Sequence, residues 1–323
     1  MTDPRKHVFA VVAGLAAFMI ACRTTTPRSD VPPPTPAAAD LKAIRVNGTV
    51  LNYVDTIASG ARAELPPIVL VHGSIGSLRE WRNQVPAMAV YTRTIAYSRR
   101  YHLPNPQVED GQTYSASLHA ADLAAFMTAL RLQPADLVGS SYGGTVVVQL
   151  ALHHPELVHS LILAEPALDV FTTQAADDSI RRQSAETLTG LDSTRARFAR
   201  GDSISALRAF TDASLGRGAY DAVSAATRSY FISQLFELRK EMLAPPTEWM
   251  PRIQCAELQR LTMPVMVLVG QNTTSVYRGI IEQLQTCLRG TTVKVIPDAG
   301  HHVVANSASV NGAILDFVRQ TAR

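Results

Sequence analysis

The sequence lacks an apolar run long enough to cross a bilayer: the one that opens it, Val8 to Ala21, has about 14 residues against the ~20 that a spanning helix needs. It also lacks clustered basic charge. Its 30 Lys and Arg are scattered against 27 Asp and Glu for a net charge of +3, so nothing in it calls for nucleic acid. No acidic cluster stands near the pair His153-His154, and successive helical residues point about 100° apart, so that pair reads as a surface helix end and no metal is expected. Cysteine is scarce, with Cys22, Cys255 and Cys287 the only three. What remains is a chain of 323 residues, 46% hydrophobic, which is enough to bury one large domain with room for an inserted subdomain.

Residues 1–21 have the form of an export signal, in which Arg5, Lys6 and His7 give a positive start to the apolar run. The run ends in Met19-Ile20-Ala21-Cys22, which resembles the lipobox of bacterial lipoproteins, although leucine is usual where Met19 stands. The resemblance implies that Cys22 is lipidated and becomes the new N-terminus. An ordinary cleaved signal and an uncleaved anchor are the alternatives. Residues 22–40 follow as a tether, because the stretch from Thr24 to Asp40, with Val31-Pro32-Pro33-Pro34-Thr35-Pro36, favours extended polyproline and cannot pack a core. The expectation is therefore an exported protein held to a membrane by an N-terminal lipid. Arg23 stands after Cys22 where an aspartate does not, which points to the outer membrane or cell surface in a Gram-negative host. In an exported chain Cys255 and Cys287 invite a disulfide; two separately buried thiols are the other reading.

The stretch that organises the rest is Leu137-Val138-Gly139-Ser140-Ser141-Tyr142-Gly143-Gly144. A short buried strand leads into it and an apolar helix, Thr145 to Leu152, leads out. In the pattern G-x-S-x-G the serine sits on a sharp strand-to-helix turn with its hydroxyl clear of the backbone. Here that serine is Ser141, and helix-side amides would welcome an anion beside it.

Upstream, Ile44–Val46 and Val50–Val54 around Asn47-Gly48 form a hairpin. Pro67–Val71 is an apolar run of the kind buried on both faces of a parallel sheet, and it stops at His72-Gly73-Ser74-Ile75-Gly76. The glycine lets the loop fold back, so that the amide of Ser74 pairs with that of Tyr142 as an oxyanion hole, each donor being worth ~3 kcal/mol in a transition state. Leu78 to Met88 reads as one helix, with Trp81 in the core. Thr94–Tyr97 is a strand, and Arg99 and Arg100 in the loop after it are expected to pair with neighbouring carboxylates. Beyond the elbow, Ser160–Ala164 is a strand with Glu165 at its carboxyl end, where active sites of open α/β sheets collect. From 171 to 251 no buried strand run occurs and amphipathic helical segments take over, the pattern of a lid. The sheet resumes at Met263–Gly270, and a last strand, Val293–Pro297, leads to Asp298-Ala299-Gly300-His301-His302, with His301 placed to turn toward the serine.

Together H-G-S-I-G, G-S-S-Y-G and A-G-H, each at a strand end and in this order, resemble the α/β-hydrolase family from about Ala43 to the C-terminus. The resemblance implies an eight-stranded, mostly parallel sheet flanked by helices, formed by residues 41–170 and 252–323, with a helical cap, 171–251, inserted after the sixth strand. It implies Ser141 as nucleophile, His301 as base and the amides of Ser74 and Tyr142 as oxyanion hole, with no metal or organic cofactor. One position departs: members usually carry an aspartate where Thr273 stands. Some branches place the acid after the sixth strand, and on that arrangement Glu165 takes the role, with Asp169 and Asp298 as rivals. The implied reaction is two-step acyl transfer on a small carboxylic ester or lactone. A serine at the elbow argues against the branches that use aspartate there, the dehalogenases and epoxide hydrolases. Amide, thioester or C–C hydrolysis, acyl transfer to an alcohol, and a non-catalytic binding lipoprotein remain alternatives.

Overall fold

The sheet's shape follows from which strands are apolar on both faces. A computed structural model describes residues 41–58, 65–169 and 177–322. The export signal, Cys22 and the tether lie outside the described residues. Eight strands form one sheet: β1 (Lys42–Val46), β2 (Thr49–Thr56), β3 (Ile68–Val71), β4 (Thr94–Tyr97), β5 (Ala135–Ser140), β6 (Val158–Ala164), β7 (Val265–Gly270) and β8 (Thr292–Ile296). Their order is β1-β2-β4-β3-β5-β6-β7-β8. The hairpin β1–β2 and its junction with β4 are antiparallel, and every later pair is parallel. The central strands β3, β4, β5 and β7 are buried at every residue, as strands covered by helices on both sides must be.

Among the described residues twelve α-helices accompany the sheet: α1 (Gln84–Ala89), α2 (Ala116–Ala129), α3 (Tyr142–His153), α4 (Asp178–Ala199), α5 (Ser203–Leu215), α6 (Ala219–Ala222), α7 (Ala225–Ser233), α8 (Leu235–Leu243), α9 (Pro246–Trp249), α10 (Cys255–Leu258), α11 (Ser275–Cys287) and α12 (Ser307–Thr321). On one face α1 and α12 close a core of Val85, Met88, Ile314 and Val318 against the strands. The other face carries the larger core, in which Phe126 of α2, Val147 of α3 and Leu284 of α11 join Leu207 and Leu238 of the insertion. The helices α4 to α9 all fall between β6 and β7.

The single helix expected over Leu78 to Met88 is in fact two pieces, a 3₁₀ turn at Leu78–Trp81 and then α1. Pro86 is the reason: in a continuous helix its ring would meet the carbonyl of Arg82, whereas a helix restarted at Gln84 places it in the first turn, where no amide is needed. Trp81 is fully buried. Cys255 on α10 and Cys287 at the end of α11 are joined by a disulfide across 32 residues of sequence.

Candidate active site

Ser141 lies between β5 and α3 at φ +50° and ψ −120°, a conformation that a non-glycine residue adopts only where its surroundings enforce it. Two close approaches enforce it here. A Cβ on Gly139 would stand 2.5 Å from the Gly143 carbonyl oxygen, and one on Gly143 would run into the carbonyl oxygen of Val71, so strand, turn and helix nest only with glycine at both places. The Ser141 amide donates to the Ala164 carbonyl at 3.0 Å, which ties the elbow to the end of β6. Tyr142, the first residue of α3, holds one of the amides that a helix start leaves without an intrahelical partner.

Ser141 Oγ is 3.0 Å from His301 Nε2. On the far side of the ring, His301 Nδ1 is 3.4 Å from Glu165 Oε2. Glu165 is fully buried, at φ +48° directly after β6. Its carboxylate accepts from the Gly270 amide at 2.7 Å and from the Thr273 hydroxyl at 2.6 Å. The structure thus brings Ser141, His301 and Glu165 into one line from three strand ends. A carboxylate beside Nδ1 favours the tautomer with hydrogen on Nδ1, leaving Nε2 to accept from the serine.

The other candidates are placed elsewhere. Asp169 pairs with Arg252 at 2.9 Å, and Asp298 is exposed at the turn after β8. His302 is 65% exposed, with Nε2 3.9 Å from Glu80. Arg100 pairs with Asp122 and Asp110, as loop arginines were expected to do. Arg99 corrects that expectation: fully buried, it bonds the carbonyls of His72 and Gly73 and the Tyr114 hydroxyl. Carbonyl oxygens bunched at the end of β3 supply the acceptors that a carboxylate would have supplied.

Ser74 follows Gly73 on the other side of the elbow, where a Cβ on Gly73 would be 3.0 Å from that of Ser141. A cavity of about 540 Å³ opens beside this pair, lined from below by Ser74, Ser141 and His301 and from the insertion by Phe210, Leu215 and Phe231. Its size suits a small molecule. Three neighbours of the site escaped the sequence reading. Tyr277 of α11 stacks on the His301 ring with centroids 3.9 Å apart, and burial pushes its hydroxyl well above the usual range. Glu237 and Glu241 of α8 lie buried under the loop after β3. A glutamate four residues from another signals only a helix face, so no pattern in the chain marked them.

A mostly parallel sheet with these side chains gathered at the carboxyl ends of its strands defines a hydrolase of the α/β class. Residues 66–307 match the alpha/beta hydrolase fold family, and the chain belongs to it. Relatives include the uncharacterized hydrolase YraK of Bacillus subtilis (strain 168), 30% identical over 122 residues, 38% of this chain and 45% of that protein. The chain therefore spans less than half of that relative's length. Carboxylesterase YbfK of the same organism is 25% identical over 275 residues, 81% of this chain and 83% of the relative. Among solved structures the enol-lactonase from Burkholderia xenovorans LB400 shares the fold with a TM-score of 0.68 at 18% identity, covering 86% of this chain and all of that one.

Proposed function

We propose that the protein is a serine hydrolase that cleaves a small carboxylic ester or lactone through an acyl-enzyme on Ser141. The observation that carries the reading is the line from Ser141 Oγ through the His301 ring to Glu165, 3.0 Å on one side and 3.4 Å on the other. His301 Nε2 takes the Ser141 proton as Oγ attacks the substrate carbonyl, and the amides of Ser74 and Tyr142 hold the oxyanion. The imidazolium, balanced by Glu165, returns that proton to the leaving oxygen. Water, deprotonated by the same nitrogen, then releases the acid and restores the serine. The insertion α4 to α9 serves as the cap, and its apolar wall of Phe210, Leu215 and Phe231 receives the acyl or alcohol part. The names of the carboxylesterase and enol-lactonase relatives support ester and lactone as the bond class. Labelling of Ser141 by a fluorophosphonate, followed by turnover across aryl esters of increasing acyl length and a set of lactones, tests the reading. Absence of both labelling and turnover overturns it.

We also propose that Cys22 carries lipid and that residues 22–40 tether the domain to a membrane, outer or cell-surface. Support comes from the sequence up to Cys22 and from the Cys255–Cys287 disulfide, a bond kept in oxidising compartments. Among the described residues no helix is long and apolar enough to cross a membrane. Cys22→Ala is expected to abolish incorporation of labelled fatty acid and to move the protein out of the detergent phase. Full labelling in that variant removes the proposal.

A further inference from the structure

The loop that carries Ser74 is held from two sides, and one of them is the helical insertion. On the sheet side Arg99 bonds the carbonyls of His72 and Gly73 at 3.0 Å each, and His102 Nδ1 lies 3.0 Å from the Gly76 carbonyl. Between these anchors Ser74 and Ile75 bond α8 instead. The Ser74 hydroxyl donates to Glu241 Oε1 at 2.7 Å, and the Ile75 amide is 3.3 Å from Glu237 Oε2. Ile75 is a branched residue at φ +48°, a conformation that costs on the order of 1–3 kcal/mol and persists only where neighbours hold it.

Glu237 and Glu241, one helical turn apart, are both fully buried and share their surroundings. Trp249 Nε1 donates to Glu241 Oε1 at 2.9 Å, the Tyr114 hydroxyl lies 3.2 Å from Glu241 and 3.3 Å from Glu237, and His102 Nε2 is 3.2 Å from Glu237. Burial, and next the charge of Glu241 beside it, raise the Glu237 carboxyl well above the usual range. Burial lowers His72, His102 and His119 well below theirs, which leaves them neutral. The buried Arg99, bonded to Tyr114, is the positive charge that faces the pair. A hydrogen-bonded carboxyl pair inside the domain, brought there on a helix of the insertion, is costly to build and strong once built.

We propose that Glu241 is a positioning residue for the Ser74 amide: by holding the Ser74 hydroxyl from α8, it aims that amide at Ser141 and makes the seating of the insertion a condition of turnover. The inference rests on the reading of the Ser74 amide as an oxyanion donor. A double-mutant cycle of Ser74→Ala and Glu241→Ala, which removes the acceptor altogether, with steady-state kinetics on p-nitrophenyl acetate and fluorophosphonate labelling of Ser141, tests it. Each single variant is expected to lose about tenfold in kcat, a fraction of the 10²–10³ that losing a whole donor costs, with KM within about twofold. Because both changes break one bond, the double variant should lose no more than the worse single variant. Losses that multiply, a change confined to KM, or kcat of either single variant within about twofold of wild type would overturn the proposal. Should Glu241→Ala fail to fold, Glu241→Asp, which is one methylene shorter and draws the carboxyl back from Ser74, takes its place in the cycle. Wild-type protein that resists labelling at Ser141 overturns the site reading and this proposal together. Labelled wild type with Ser74→Ala at full turnover overturns this proposal alone.

Discussion

Replacing Ser141 by alanine is expected to lower turnover of a simple aryl ester by about 10⁴ to 10⁶ while leaving the fold intact. The hydroxyl is bonded to His301 at 3.0 Å and opens onto the cavity, and the buried Tyr277 hydroxyl beside it also bonds it, so its removal takes one partner from Tyr277 and none from the strands of the core. Backbone strain at φ +50° is set by the glycines around the elbow and is the same for alanine. On the proposed mechanism His301→Ala should lose a similar factor. His302→Ala should lose far less, since that ring is 65% exposed and turned toward Glu80. Ser141→Ala activity within about tenfold of wild type would end the serine-hydrolase reading, because nucleophile and base act as one unit.

Glu165→Gln is expected to cost about 10⁴ in turnover with the protein still folded, the loss seen when a triad carboxylate becomes an amide. All three neighbours of this side chain present hydrogens: the Gly270 amide, the Thr273 hydroxyl and, in the working tautomer, His301 Nδ1. A glutamine has one NH₂ that must face one of them. Turned toward Gly270, it strands a buried donor. Turned toward His301, it makes Nδ1 an acceptor and moves the ring hydrogen to Nε2, where it can no longer take the serine proton. Adding Thr273→Asp to Glu165→Gln should recover part of the activity, because the side chain at 273 already reaches to 2.6 Å from the carboxylate it would replace. Asp169→Asn and Asp298→Asn should stay near wild type, the first being engaged with Arg252 and the second exposed. Near-wild-type turnover in Glu165→Gln with loss in either of those variants would transfer the acid role.

The strands and the residues at their ends were legible because each is written locally. Four or more apolar residues in a row mark β3, β6 and β7, and a glycine next to His72 and His301, or two residues to either side of Ser141, marks where the chain turns over a strand end. Thr273 was legible only as a missing carboxylate. Its hydroxyl holds the carboxylate that arrives from another strand, a pairing across 108 residues that no local pattern encodes. The charges of α8 were opaque for a related reason. Leu235-Phe236-Glu237-Leu238-Arg239-Lys240-Glu241 has the look of a solvated helix, and only the acceptor-hungry surroundings of Ser74, Trp249 and Tyr114 turn its glutamates inward. Arg99 was misjudged in the same way, since backbone carbonyls gathered by the fold leave no trace in composition.

The two outermost strands of the sheet carry a further consequence, which concerns neighbours rather than catalysis. A free strand edge offers unpaired amides and carbonyls to any second molecule that slides alongside. Here β1 has Lys42 and Arg45 and β8 has Lys294, all exposed, so two copies meeting border to border would set like charges across each new ladder. Such repulsion keeps each sheet ending where its own chain ends.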